Sequence, residues 1–265
     1  MAQVISVSNQ KGGTGKTTTA VNLAAGLALR GQRTLLIDLD PQGNATYALT
    51  RASEFNVTAY DLLVNDRPVR SAILRSRQPD LDLIPADIDL AGAEIELVSA
   101  IGSQTLLGSK LRSERLPYNY IVIVCPPSLG LLTINALAAT HEVIIPVSLS
   151  AFALKGLERL LETITKVRTR LGRTDLAIGG VLVTFWERTN VARDVYNLLR
   201  ENFGDKLFTT PIPKSVKLEE ANARHMSIFE YDAGSPGALA YACVVDEILA
   251  GNGRDESHKP IIETT

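Results

Sequence analysis

One stretch, Lys11-Gly-Gly-Thr-Gly-Lys-Thr-Thr18, limits what this chain can fold into more than any other. A β-branched run at 4–8 precedes it, and a helical pattern over 16–29, closed by Gly31, follows it. A glycine-rich loop between a strand and a helix turns backbone N–H groups inward. The positive end of the helix dipole then faces any anion held there. Gly12, Gly13 and Gly15 let the backbone wrap a phosphate with no Cβ in the way. Lys16 supplies a point charge to β- and γ-phosphates, and the Thr17 hydroxyl is suited to ligating Mg²⁺. With Thr14 and Thr18 these residues make a candidate nucleotide-binding loop. The ordinary pattern G-x-x-x-x-G-K-[ST] needs glycine at position 10; this chain has Gln10 there, followed by a second lysine, Lys11.

The same alternation runs on. Short apolar runs at 34–38, 81–85, 121–125, 143–147 and 178–184 read as strands. Helical patterns cover 90–100, 154–171, 191–203 and 238–249. Strand–helix alternation predicts an α/β fold: a mostly parallel, twisted sheet flanked by helices on both faces, in a single domain over 1–250. The polar segment 51–79 reads as an irregular excursion of that domain, and 251–265 as a polar, flexible tail. With 45% hydrophobic and 21% charged residues among 265, wholesale disorder is excluded. A net charge of −2 excludes a bulk polycation, so any nucleic-acid binding must come from a local patch. Two cysteines, Cys125 and Cys243, cannot form a disulfide framework or a four-cysteine zinc site, and they suit the reducing cytoplasm. The N-terminus carries no signal-peptide pattern, and no apolar run reaches the roughly 20 residues that span a bilayer.

The second strand leads into Leu35-Leu-Ile-Asp-Leu-Asp-Pro-Gln-Gly-Asn44. Open α/β sheets bind ligands at the C-terminal ends of their strands, and period-2 spacing sets Asp38 and Asp40 on one side. Asp-Pro and Gly-Asn are also turn dipeptides, so a strand-end turn is expected in either case. A further strand ends in Tyr120-Ile-Val-Ile-Val-Cys-Pro-Pro-Ser-Leu-Gly130. Its Cys125 has no accompanying His or Asn motif and reads as a small buried residue.

The loop with Lys11 at its head resembles the deviant Walker A family of P-loop ATPases. Pro126-Pro-Ser-Leu-Gly-Leu-Leu-Thr-Ile-Asn-Ala136, Thr210-Pro-Ile-Pro-Lys-Ser-Val-Lys217, Asp-Pro-Gln-Gly-Asn at 40–44 and Phe229-Glu-Tyr-Asp232 are similar to ParA/Soj chromosome- and plasmid-partition ATPases, over nearly the whole chain. The resemblance implies ATP and Mg²⁺ as cofactors and an ATP-dependent homodimer in which Lys11 reaches the partner's phosphates. It implies a place near Mg²⁺ for Asp38, positioning of the attacking water by Asp40, and nucleotide contacts at Pro211 and Pro213. It also implies non-specific double-stranded DNA contact through Arg188, Lys214 and Lys217, a ParB-like activator or cargo adaptor, and a cytoplasmic, nucleoid-associated protein. From 151 to 217, twelve Lys and Arg face seven Asp and Glu, a local +5 that Lys166, Arg168, Arg170 and Arg173 could extend into a patch.

Three departures from the family pattern matter. The family's Walker B aspartate falls at position 124, where this chain has Val124, so one support for metal-bound water is absent. Asn222 stands in place of a proline, and Ala223-Arg-His225 in place of Ser-His-Gly. The polar tail lacks the basic amphipathic membrane helix of MinD-type relatives, and the two cysteines lack the context of the nitrogenase iron-protein branch. Two other classes stay open on sequence: a nucleotide-gated DNA scaffold with negligible turnover, motivated by Val124, and a metabolic or redox enzyme on the same fold.

Overall fold

The computed structural model describes residues 2–149 and 153–251, with side chains at 153–156 outside that description. The tail expected at 251–265 lies outside the described residues apart from Gly251. Seven strands form one sheet: β1 Gln3–Val7, β2 Thr34–Asp38, β3 Leu74–Arg75, β4 Leu81–Ile84, β5 Tyr120–Val124, β6 Glu142–Ser148 and β7 Ala177–Thr184. Their order is β3-β4-β2-β5-β1-β6-β7, parallel throughout except for the short edge pair of β3 with β4. The helices are α1 Lys16–Ala28, α2 Asn44–Leu49, α3 Ala59–Leu63, α4 Leu90–Glu96, α5 Leu106–Ser113, α6 Leu131–Ala139, α7 Ala153–Arg170, α8 Asn190–Phe203, α9 Val216–Ala223, α10 Ile228–Asp232 and α11 Pro236–Ala250.

Every residue of β2 and β5 is buried, as expected for strands covered on both faces. Alternate side chains feed separate cores. Val7, Leu36, Val122 and Val124 pack with α1 and α11, whereas Leu35, Ile37, Ile121 and Ile123 pack under α3 to α6. A third cluster joins β6 and β7 to α7 and α8. The α1–α11 approach is close: a Cβ on Gly26 would sit 2.6 Å from Val245 Cγ2. The segment read as irregular, 51–79, holds α3, a 3₁₀ turn and β3, and the helical pattern at 90–100 stops as α-helix at Glu96.

The parallel register brings the C-terminal ends of the three central strands level. Val7 pairs with Val124, and Val124 with Asp38. The loops after β1, β2 and β5 therefore converge at one edge of the sheet, where parallel α/β sheets hold their ligands.

At the opposite end, His141 links β1 to β6. Its Nδ1 accepts a hydrogen bond from Val4 N–H at 2.9 Å, and its own N–H donates to the Val4 carbonyl. Burial holds the imidazole pKa below its usual value, and protonation would remove the acceptor that Val4 uses. The neutral ring is the form the fold favours, so its contribution is present above about pH 6.5 and is lost as pH falls. His141→Asn keeps an acceptor and removes the titration. Urea unfolding should show the wild type losing stability relative to this variant between pH 8 and pH 5; a pH-independent difference would contradict the linkage.

Candidate nucleotide site

The loop after β1 is held open by its neighbours. Asn9 donates from Nδ2 to the Pro146 carbonyl at 2.7 Å and accepts from Lys11 N–H at 3.0 Å. Thr184, at the end of β7, donates to the Thr14 carbonyl at 3.0 Å. Gly13 (φ 69°) and Gly15 (φ 78°) adopt left-handed conformations that a side chain would strain. Gly15 opens α1 with no side-chain cap, so the first-turn amides of Lys16, Thr17 and Thr18 have no intrahelical acceptor. Lys16 is buried, and its Nζ donates to the Lys11 carbonyl at 3.2 Å. Burial lowers its pKa, with Asp40 pulling the other way. An uncapped helix start, a buried ammonium and a glycine cradle fit a bound polyphosphate. Lys11 stands exposed at the head of this loop.

Asp38 is wholly buried, and both of its oxygens are engaged. Oδ2 accepts from Thr46 N–H at 2.8 Å and from the Thr46 hydroxyl at 2.9 Å, and Oδ1 accepts from Asp40 N–H at 3.1 Å. Burial pushes its pKa up to about 6 against the pull of those donors. Asp40 is also buried, and its Oδ1 accepts from Gln42 N–H. The turn expected at 40–44 is present and leads straight into α2. The donor set of Thr17 hydroxyl, Asp38 and Asp40 is all oxygen, which suits a small hard cation. Val124 is fully buried beside Asp38 and offers no oxygen. Cys125 is fully buried, and burial lifts its thiol to about 12, which rules out a thiolate nucleophile.

Thr46 carries more than Asp38. Its hydroxyl oxygen also accepts from Ala86 N–H at 2.9 Å, joining α2 to the β4–α4 connection. Nothing in the sequence marks it beyond its place just after a turn. Thr46→Val strips a hydroxyl donor from a buried carboxylate and an acceptor from a buried amide, at a cost of about 2–4 kcal/mol. Chemical denaturation should show that loss, with Thr46→Ser recovering most of it.

Beside the loop lies a cleft of about 110 Å³, lined by Gly15, Thr18, Phe185, Pro213, Glu219 and Tyr241 among others. Pro213 is one of the lining residues. Pro211 is not part of the lining, and Ile212 is. Phe185 has φ 53°, uncommon for an aromatic residue, and a Cβ on Gly15 would lie 3.6 Å from its ring. Sequence reasoning missed Asn9, Thr184 and Phe185. The last two sit at the C-terminal end of a recognised strand, which was the signal available.

The basic residues divide. Trp186 N–H donates to the Ile212 carbonyl, and Lys214 N–H to the Trp186 carbonyl, setting the 184–188 segment beside 212–214. Arg188 is exposed there, and Lys214 pairs with Glu187 at 3.3 Å on the surface. Lys217 pairs with Glu220 at 3.1 Å and lies 5.4 Å from the Tyr231 ring centroid. Two of the residues that could extend the patch have partners within the fold. Arg168 donates to the Leu176 carbonyl, and Arg173 spans Asp175 and the Thr140 carbonyl, so both tie loops together. Asn222, at a departure from the family pattern, donates to the Thr18 hydroxyl at 3.3 Å.

A phosphate-type loop at the head of α1, with carboxylates on the neighbouring strand of a mostly parallel sheet, defines a P-loop nucleotide-binding protein. A family model described as an AAA domain matches residues 2–178. The chain is 47% identical over 252 residues to the sporulation initiation inhibitor protein Soj of Bacillus subtilis (strain 168), covering 94% of this chain and 99% of that one. It is 44% identical over 255 residues to the chromosome-partitioning ATPase Soj of Treponema pallidum (strain Nichols), covering 96% and 100%. Among solved structures, cobyrinic acid a,c-diamide synthase from Mycobacterium smegmatis, with bound ATP analogue and magnesium, superposes with TM-score 0.82 at 34% identity over 94% of this chain and 95% of that one. The septum site-determining protein MinD of Pyrococcus horikoshii OT3, complexed with Mg-ADP, gives TM-score 0.75 at 25% identity, over 95% and 98%. The chain belongs to the Soj/ParA family of chromosome-partitioning P-loop ATPases. Among the described residues no helix is long and apolar enough to cross a membrane.

Proposed function

We propose that this chain is an ATP-gated partition switch. The observation that carries the reading is the uncapped start of α1, with Lys16 buried beneath it and Lys11 exposed above it. The amides of 13–18 and Lys16 hold the β- and γ-phosphates of ATP, and the cleft beside Gly15 receives the base. Thr17, with Asp38 and Asp40 behind it, would hold Mg²⁺, which when bound neutralises charge on the phosphate oxygens. Asp40 orients the attacking water. Lys11 reaches across a homodimer to the partner's phosphates, the electrostatic role an arginine finger plays elsewhere. The dimer contacts the phosphates of double-stranded DNA through Arg188, Lys214 and Lys217 without reading sequence, each protomer adding to the other's hold. A ParB-like partner stimulates hydrolysis and releases DNA, so cycling moves a chromosome, plasmid or other cargo over the nucleoid.

Fluorescence anisotropy on a random-sequence duplex should show tight binding with Mg-ATP and weak binding with ADP or no nucleotide. Affinity should fall steeply as salt rises. Lys16→Ala should abolish the ATP effect, and Arg188→Ala or Lys217→Ala should each reduce the salt slope by about 1. Absence of binding in every state would remove the DNA half of the proposal.

Val124 supports a second reading, a scaffold that turns over negligibly. The side chain is sealed between Val7 and Asp38, and of these three paired residues only Asp38 carries side-chain oxygens. Restoring the acid with Val124→Asp should raise phosphate release by about tenfold or more, since one lost hydrogen-bonding support is worth a factor of 10–100 at metal sites. It should also lower thermal stability, because a second carboxylate beside Asp38 is buried against apolar neighbours. Unchanged turnover would mean that Asp38 and Asp40 suffice.

A further inference from the structure

The turn that closes α9 reaches both halves of the oxygen donor set. Asn222, in the last turn of the helix, donates from Nδ2 to the hydroxyl of Thr18, the neighbour of Thr17, at 3.3 Å. His225, just beyond the helix, reaches the other half. A carbonyl can only accept, so its Nδ1–H donates to the Tyr47 carbonyl at 2.6 Å, and the two rings pack with centroids 4.2 Å apart. Tyr47 lies in the last turn of α2, where carbonyls lack intrahelical partners. Thr46, the residue before it, carries both donors to Asp38 Oδ2. The backbone is bent to make this contact. His225 has φ 58°, a left-handed conformation that glycine takes freely and residues with side chains seldom adopt. Its neighbours pin the turn in place: the Arg77 guanidinium donates to the His225 carbonyl, and Ile228 N–H donates to Asn22 Oδ1 at 2.8 Å. Asn222 and His225 both fall where this chain departs from the family pattern, as does Val124.

We infer that Asn222 and His225 are positioning residues for the Mg²⁺-binding oxygens, holding Thr17 and Asp38 in fixed relation from a single turn and standing in for the support that Val124 does not give. Each acts through a neighbour: Asn222 through Thr18 on Thr17, and His225 through the Tyr47–Thr46 peptide on Asp38. Mg²⁺ demands near-ideal geometry and takes few protein ligands, so the groups that orient those ligands set its affinity. A turn serving the fold alone has no need of histidine here, since glycine would meet the backbone with less strain. The inference rests on the assignment of Mg²⁺ to Thr17 and Asp38 proposed above.

The probe is N-methylanthraniloyl-ATP bound to the full chain, followed by fluorescence as Mg²⁺ is titrated and again in EDTA. Asn222→Ala combined with His225→Gly should raise the half-saturating Mg²⁺ concentration by about tenfold or more, the usual cost of losing groups that orient metal ligands. Affinity in EDTA should hold nearly constant. Thermal unfolding should change little, because glycine suits the left-handed backbone at 225. His225→Asn, which tolerates that backbone and keeps a donor, should recover part of the Mg²⁺ response. In a Val124→Asp background the Asn222→Ala, His225→Gly pair should cost no more than about threefold, since the acid brings its own support and the sites are coupled. Three results would overturn the inference: an unchanged Mg²⁺ requirement; an equal loss with Mg²⁺ and with EDTA, which is a general loosening of the nucleotide site; or a loss undiminished by Val124→Asp. A wild type whose affinity ignores Mg²⁺ would instead remove the metal assignment, and this inference with it.

Discussion

The wholly buried carboxylate of Asp38 sets the terms for this end of the molecule. A charge sealed at the end of a five-residue buried strand must find donors inside the fold. It finds them in the residues that follow it, the amide of Asp40 and both polar groups of Thr46. Hydrogen bonds to a charged group contribute about 1.5–3 kcal/mol each, enough to fix the loop's path from β2 into α2. Because the Thr46 hydroxyl also receives Ala86 N–H, the same network anchors the start of the segment that carries α4. Loop, carboxylates and the start of that segment are thus one connected structure.

Charge is sorted along the sheet in the same spirit. The six acids between Arg77 and Lys110 accompany β4, next to the β3 edge, whereas the +5 stretch from 151 to 217 surrounds β7 at the other edge. A chain of net −2 thereby carries stretches of opposite charge balance toward the two ends of the sheet.

Much of this was legible in the sequence because a doubly covered parallel strand can hardly look like anything else. The runs at 34–38, 121–125 and 143–147 all became strands within a residue or so at either end. The helices that escaped notice had reasons to. Leu131–Ala139 is apolar nearly all round and buried on most sides, so it shows no amphipathic period. Asn44–Leu49 begins inside a run of turn residues that reads as loop. The loop residues Gly12 to Thr18 were readable because backbone conformation and phosphate chemistry demand those types. Thr46 was not, since its importance comes from a carboxylate eight positions earlier that only the turn brings back. Arg168 and Arg173 show the opposite error: charge counted as surface was committed to carbonyls within the fold.

The site's own charges are held at a disadvantage. Burial lowers the pKa of Lys16 and raises that of Asp38, so desolvation works against the charged form of each. Lys16 meanwhile donates to a loop carbonyl, a neutral acceptor that a phosphate oxygen would outcompete. Phe185 leans on Gly15 with a backbone that an aromatic residue seldom adopts. The two desolvation costs lie close together, and both are met by charges of opposite sign. An anion at the head of α1 favours the charged lysine and takes the place of the carbonyl, and a cation beside Asp38 favours its carboxylate. Ligand binding is therefore coupled to the stability of the loops from 8 to 18 and from 38 to 46, because a bound anion and cation favour the charged forms that burial there disfavours.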